Sequence, residues 1–195
     1  MRLKTFSFSI VLLVLVASAL TISAQEAKSW STAGSTGTAN RVNLNKIIYT
    51  NAIVSFPDLP GTQLRRPTAQ LPLQTTQAVI RYNVTATEGL FFASGRHCMV
   101  ARFRDDGNRA RVILRLMQLQ QDSEIATTLL TFDSNSFPSQ AGFQVNSVAT
   151  NRIPFDFAHN AYYVEATLTK QHPLTSPFGG GKPALALVAL SKCTF

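Results

Sequence analysis

Hydrophobic and polar residues alternate along much of the chain, which is the pattern of half-buried β-strands. The cleanest alternation covers residues 77–85, 98–105, 109–116 and 161–170. Residues 184–190 are apolar at nearly every position, as expected for a strand in the centre of a sheet. No segment has a convincing helical period, so the pattern predicts an all-β protein.

Shorter strand-like runs occur at residues 41–56, 125–132 and 143–148, separated by stretches rich in turn-forming residues. Together the runs predict about eight or nine short strands in a single domain, residues 41–195. An antiparallel chain of this length must bury one face of each sheet. We therefore expect a two-sheet antiparallel sandwich of jelly-roll type.

The stretch 98–116 contains two alternating runs that meet at Asp106-Gly107. Asp-Gly indicates a two-residue hairpin turn, because a type I′ turn needs positive φ at both central positions. Apolar residues of the two runs would then share the inner face of one hairpin: Met99, Ala101, Phe103, Ala110, Val112 and Leu114.

The same hairpin would collect arginines on one outer face. Arg102 would face Arg111, and Arg104 would face Arg109, with Arg115 extending the patch. Like charges facing each other across strands are destabilising, so solvent, carboxylates or a bound anion should offset them. Two interpretations remain open: a solvated face whose arginine stems cover apolar surface, and an anion-binding site.

The first 24 residues have the pattern of a bacterial export signal. Basic residues at positions 2 and 4 precede an apolar run over 10–20, and a small-residue cleavage site ends at Ala24. Residues 25–40 are rich in serine, threonine and glycine, so we expect a flexible leader there. The sequence therefore predicts a secreted or periplasmic protein.

Cys98 and Cys193 are the only cysteines. In an oxidising compartment the simplest interpretation is a disulfide between them, with two buried free thiols as the alternative. Two cysteines and three scattered histidines have no zinc-ligand spacing, so no metal site is predicted, and no cofactor either.

The net charge of +8 favours anionic partners, and twelve of the 18 basic residues are arginine. Arginine favours planar, bidentate contacts with carboxylate, sulfate or phosphate. The candidate partners are acidic polysaccharide, lipopolysaccharide and an acidic protein surface. Nucleic acid is disfavoured, because stacking aromatics are not interleaved with the arginines.

Enzyme signatures are weak. His97, His159 and His172 have no metalloprotease spacing, and neither a nucleophile-elbow motif nor a P-loop occurs. Asp156 lies near His159 in a predicted loop. The predicted function is a non-enzymatic binding or structural surface module. A secreted polysaccharide hydrolase or lyase and a small outer-membrane β-barrel remain as alternatives.

Three runs resemble a loosely defined group of exported bacterial β-sandwich proteins that has no assigned activity. They begin at Ala101, Leu129 and Asn160 and read Ala-Arg-Phe-Arg-Asp-Asp-Gly, Leu-Leu-Thr-Phe-Asp and Asn-Ala-Tyr-Tyr-Val. With the final apolar strand, the resemblance spans residues 77–193. It implies the fold and says nothing about catalysis.

Overall fold

The computed structural model describes residues 29–39, 46–57, 73–86, 95–107, 109–173 and 180–193. Within these ranges eleven β-strands form two antiparallel sheets. The strands are β1 (Trp30–Ala33), β2 (Thr38–Ala39), β3 (Ile48–Thr50), β4 (Ile53–Ser55), β5 (Leu73–Val84), β6 (His97–Asp105), β7 (Ala110–Gln120), β8 (Ala126–Asp133), β9 (Gln140–Thr150), β10 (Asn160–Pro173) and β11 (Ala184–Lys192).

The strand order is that of a jelly roll. Sheet A has the order β3-β4-β11-β6-β9, with β1 also paired to β11, and sheet B has the order β2-β5-β10-β7-β8. From β4 to β11, successive strands alternate between the sheets except at β7 and β8, which are neighbours in sheet B. The predicted antiparallel sandwich is confirmed.

Side chains at alternate positions of the strands fill the core between the two sheets. Phe103 of β6 and Phe132 of β8 meet edge to face across it, with ring centroids 5.1 Å apart. The predicted inward positions of β5 and β10 are all buried: Ala78, Ile80, Tyr82, Val84, Tyr162, Val164, Ala166 and Leu168. Burying side chains of this size is the main stabilising contribution to the fold, about 1.5–3 kcal/mol each for the larger aliphatics.

The predicted hairpin at Asp106-Gly107 is wrong. β6 lies in sheet A between β11 and β9, whereas β7 lies in sheet B between β10 and β8. The chain therefore crosses from one sheet to the other after Asp105. Gly107 does adopt a positive φ of 120°, but in this crossing and not in a hairpin. The alternation of apolar and polar residues identifies the inward face of a strand but not the sheet to which the strand belongs. β6 and β7 bury their apolar residues in the same core, one from each sheet.

Buried hydrogen bonds fix the crossing. The carboxylate of Asp105 accepts a hydrogen bond from the amide of Gly107 at 3.0 Å and another from the hydroxyl of Ser134. The oxygen of Ser134 in turn accepts one from the amide of Val112 in β7, at 2.9 Å. Asp105 and Ser134 are both buried, so these bonds satisfy polar groups that would otherwise be costly to remove from water.

The expectation of a flexible leader is wrong for residues 29–39, which add β1 to sheet A and β2 to sheet B. Tyr82 donates a hydrogen bond to the carbonyl of Gly34 at 2.7 Å. A β-carbon on Gly34 would overlap the carbonyl oxygen of Leu185. The small residues that resemble a linker therefore permit close packing of backbone on backbone. The predicted signal peptide and residues 25–28 lie outside the described residues.

A disulfide joins Cys98 in β6 to Cys193 just after β11, with 5.2 Å between the Cα atoms, which confirms the predicted pairing. The two strands are neighbours in sheet A, and Cys98 is in register with Ser191. The bond therefore ties the middle of the sheet to the end of the described chain.

Candidate functional site

The five arginines that were predicted to form one anion site do not share a face: two lie on each sheet and one lies in the crossing between the sheets. Arg102 and Arg104 belong to β6 in sheet A, whereas Arg111 and Arg115 belong to β7 in sheet B. Arg109 is exposed in the crossing between the two strands. Because both strands turn their apolar face to the shared core, their arginines face away from each other. The hypothesis of a single five-arginine face is therefore wrong.

On sheet B, the outer-face arginines are matched by carboxylates. Arg111 donates two hydrogen bonds to Asp133, from Nε at 3.0 Å and from Nη2 at 2.5 Å. The hydrogen bond from Arg111 is the main cause that holds the pKa of Asp133 below its usual range. Arg81 on β5 donates to Glu165 on β10 at 3.1 Å.

Arg115 completes this arrangement. It lies in register with Glu165, so Arg81, Glu165 and Arg115 form one row across β5, β10 and β7. Its charge also lowers the pKa of Asp133. The outer face of sheet B is thus a solvated surface of interspersed opposite charges, as expected for the first of the two interpretations.

On sheet A, Arg102 and Arg104 share one aromatic ring instead of a carboxylate. Each guanidinium carbon lies 5.7 Å from the centroid of Phe143 on β9, within the range of a cation–π contact. The Nε of Arg104 also donates to the carbonyl of Lys182 at 2.9 Å. Neither arginine forms an ion pair with any residue in the described ranges. Among the described residues, these two oriented cations therefore have no carboxylate partner.

Phe143 is the site residue that the sequence did not identify. In β9 the usual alternation is inverted: Gln144 is buried towards the core, while Val145 is 61% exposed on the outer face. The side-chain amide of Gln144 donates to the carbonyl of Pro138 at 3.0 Å, which satisfies it inside. An apolar residue in an alternating strand ordinarily predicts the inward face, so the pattern alone gave no signal that Phe143 faces outwards.

Arg102 and Phe143 lie at an open groove of about 410 Å³ on the outer face of sheet A. Residues from β1, from the turn between β3 and β4, from the start of β4 and from β11 complete its lining: Ser31, Thr32, Ala33, Asn51, Ala52, Ile53, Ala186 and Leu187. The amide of Ser35 donates to the carbonyl of Ala52 at 3.2 Å, which holds that turn against the N-terminal segment. The groove offers one cation, small polar groups and apolar surface, and the lining includes no carboxylate or histidine.

The histidines support local structure. His97 is buried and its Nδ1 accepts a hydrogen bond from the amide of Ile153 at 2.9 Å, and His172 is also buried. His159 lies 2.8 Å from the carboxylate of Asp156, and both are exposed. This hydrogen bond is the main cause that lowers the pKa of Asp156.

Within the ranges that the structure covers, no three His, Cys, Asp or Glu side chains come together as ligands for a metal ion. The described residues also contain no helix that is long and apolar enough to cross a membrane.

No protein-family model and no curated protein sequence matches this chain. Among solved structures, it is similar to the C-terminal CBM6 of LamC, a marine laminarinase from Zobellia galactanivorans, with 11% identity, a TM-score of 0.44 and coverage of 84% of this chain and 99% of that one. It is also similar to PfGH50B, with 11% identity, a TM-score of 0.34 and coverage of 86% of this chain and 22% of that one. A further similarity is to the enzymatically active domain of tailspike protein 4 from bacteriophage CBA120, with 10% identity, a TM-score of 0.34 and coverage of 83% of this chain and 19% of that one. Similarities with identity and TM-scores this low support no conclusion about the ligand or the activity of this chain.

Proposed function

We propose that this chain is an exported binding module that holds an acidic polysaccharide on the outer face of sheet A. The observation that carries the proposal is the difference between the two outer faces. Arg102 and Arg104 share Phe143 and have no carboxylate partner among the described residues. The arginines of sheet B are instead matched by Asp133 and Glu165.

The guanidinium groups of Arg102 and Arg104 suit an anion for a physical reason. Arg102 and Arg104 are two residues apart on the same face of β6, about 7 Å along the strand. Their mutual repulsion is relieved when a carboxylate or sulfate binds between them or to each. A guanidinium binds such groups through two parallel, charge-assisted hydrogen bonds, each worth about 1.5–3 kcal/mol.

The groove favours a saccharide chain over the other anionic partners. Its volume of about 410 Å³ is typical of sites that hold small ligands. An acidic protein surface would instead need about 800 Å² on each partner for a stable contact. The groove is open, so a long polymer can lie across it and present one or a few sugar units to Arg102.

Affinity electrophoresis in gels that contain polygalacturonate tests this function. The variant R102A/R104A removes the two cations beside Phe143, and the matched control R81A/R115A removes the same charge from sheet B. We expect retardation of the parent chain that weakens with salt, is lost in the first variant and persists in the control. Equal loss in both variants would show that only net charge matters. Binding to lipopolysaccharide or to an acidic protein without binding to polygalacturonate would overturn the ligand class.

We propose as well that the protein is exported, as the signal-like pattern of residues 1–24 predicts. The Cys98–Cys193 disulfide supports it, since structural disulfides persist in oxidising compartments. N-terminal sequencing of the protein from its producing cells should find Gln25 at the start. An uncleaved chain in the cytoplasm would contradict export.

A further inference from the structure

β9 is the outermost strand of sheet A, and none of the described residues pairs with its free side. It is 11 residues long and contains neither a charged residue nor a proline. Natural proteins usually protect exposed edges with charge, proline, irregularities or short strands. At other edges, β2 and β3 have only two and three residues. The pairing of β8 shifts register between Leu116 and Met117, and that of β9 shifts between Phe103 and Asp105. Among these edge strands of the described part of the chain, β9 is the longest and, unlike β8, contains no charged residue.

Val145 is the middle residue of β9, and three of the five pairs of positions around it contain residues of similar character. Two identical strands that pair antiparallel around this centre place each residue opposite its mirror position. The facing pairs are then Gln144 with Asn146, Phe143 with Ser147, Gly142 with Val148, Ala141 with Ala149, and Gln140 with Thr150. Amide faces amide, alanine faces alanine and a polar residue faces a polar residue at the ends, while Phe143 faces Ser147 and Gly142 faces Val148. No pair brings two charges together, so the strand can pair with a copy of itself.

Val145 is also the most exposed of the large hydrophobic side chains in the described residues, at 61%. In the symmetrical pair it meets the same valine of the second copy, with Cα atoms about 4.5–5.5 Å apart. Part of each side chain then loses contact with water. The absence of charge along β9 keeps like-charge repulsion out of the paired strands themselves.

We infer that β9 pairs with β9 of a second copy and forms a two-fold symmetric dimer. The interface is isologous, and the two copies of sheet A become one continuous sheet. Pairing satisfies backbone N–H and C=O groups along the free side of β9, which is the force that drives strand addition at an exposed edge.

The dimer would also bring two anion sites onto one surface. Arg102 is in register with Val145, so the two copies of Arg102 would be separated by three strand spacings, about 14 Å. Both would face the same side, because the symmetry axis is perpendicular to the joined sheet. This consequence rests on the proposed function, whereas the dimer itself does not.

Sedimentation equilibrium of the purified chain over a range of concentrations tests the dimer. We expect the parent chain and V145T to dimerise and V145K to remain monomeric at the same concentrations, because lysine would face lysine. The matched control I125K adds the same charge beside β8, at a residue that is 58% exposed, and should still dimerise. A monomeric parent, or a dimer that I125K abolishes and V145K does not, would overturn the inference.

Cysteine cross-linking tests the register and does not depend on V145K folding correctly. The Cα separation at the centre of the pair suits a disulfide, so V145C should give a covalent dimer on oxidation. S147C places its two cysteines about 14 Å apart, so it should not cross-link. Equal cross-linking of both, or of S147C alone, would contradict the symmetrical pairing. Neither readout involves a polysaccharide, so loss of the proposed ligand would leave these results unchanged.

Discussion

Arg102 and Arg111 lie on opposite outer faces of the sandwich and have opposite electrostatic surroundings. The guanidinium of Arg102 lies 5.7 Å from the ring centroid of Phe143 and has no carboxylate partner among the described residues. Arg111 is held by two hydrogen bonds to Asp133. One cation is therefore available to a ligand, and the other already has its counter-ion.

Phe143 should determine how well the free arginines are positioned. We expect F143A to weaken polygalacturonate binding about two- to fivefold, which corresponds to a cation–π contact of about 0.5–1 kcal/mol at an exposed site. F143Y keeps an aromatic face and should bind nearly as well as the parent. Titration calorimetry measures both variants. If F143A bound as tightly as the parent, the ring would have no role in positioning.

The ion pair between Arg111 and Asp133 should make stability depend on pH. The folded-state pKa of Asp133 is lowered, so the pair stabilises the fold above the unfolded pKa and loses this contribution as pH falls through the folded one. Because the two side chains are 43% and 27% exposed, we expect R111Q to cost no more than about 1 kcal/mol at neutral pH.

Urea unfolding at neutral pH and at a pH below the folded pKa of Asp133 measures this effect. The cost of R111Q should disappear in acid, where Asp133 is protonated in both chains. An equal cost at both pH values would show that Arg111 acts through packing and not through charge.

Asp105 should contribute more to stability than the adjacent Asp106. D105A leaves the hydroxyl of Ser134 and the amide of Gly107 without their buried acceptor, and we expect a loss of about 2–4 kcal/mol. The exposed Asp106 accepts a hydrogen bond from the amide of Lys182 at 2.9 Å, so D106A should cost less than about 1 kcal/mol. Chemical unfolding of the two variants gives both values. The reverse order would contradict the assigned role of Asp105 in the crossing.

The sequence predicted which face of each strand is buried better than it predicted which strands pair with each other. Alternation correctly identified the buried sides of β5, β6, β7 and β10, because burial depends on the strand alone. Pairing depends on the whole topology. In a jelly roll β6 and β7 belong to different sheets, so a jelly roll and a hairpin at Asp106-Gly107 exclude each other, and glycine serves the crossing instead.

The candidate site was only partly predictable for a related reason. Arginine type and spacing indicated an anion surface, but the availability of each arginine depends on carboxylates from other strands. Glu165 and Asp133 reach sheet B arginines only through long-range pairing. Phe143 faces outwards because Gln144 finds a hydrogen-bond partner inside, and neither fact has a local signature in the sequence.

The disulfide should contribute a large share of the stability. It joins cysteines that are 95 residues apart, and the chain-entropy model gives about 4–5 kcal/mol for a loop of this length. We expect C98S/C193S to lose a comparable free energy of unfolding, and reduction of the parent chain to lower its stability to the same level. Equal stability of oxidised and reduced protein would contradict this contribution.

NMR spectra of the arginine Nε–Hε groups, recorded during a titration with oligogalacturonate, show where the anion binds. We expect the signals of Arg102 and Arg104 to shift and saturate together. The signals of Arg81 and Arg111 should stay in place, because their guanidinium groups already have carboxylate partners in Glu165 and Asp133. Shifts at Arg81 and Arg111 with none at Arg102 and Arg104 would place the ligand on sheet B and contradict the proposed function.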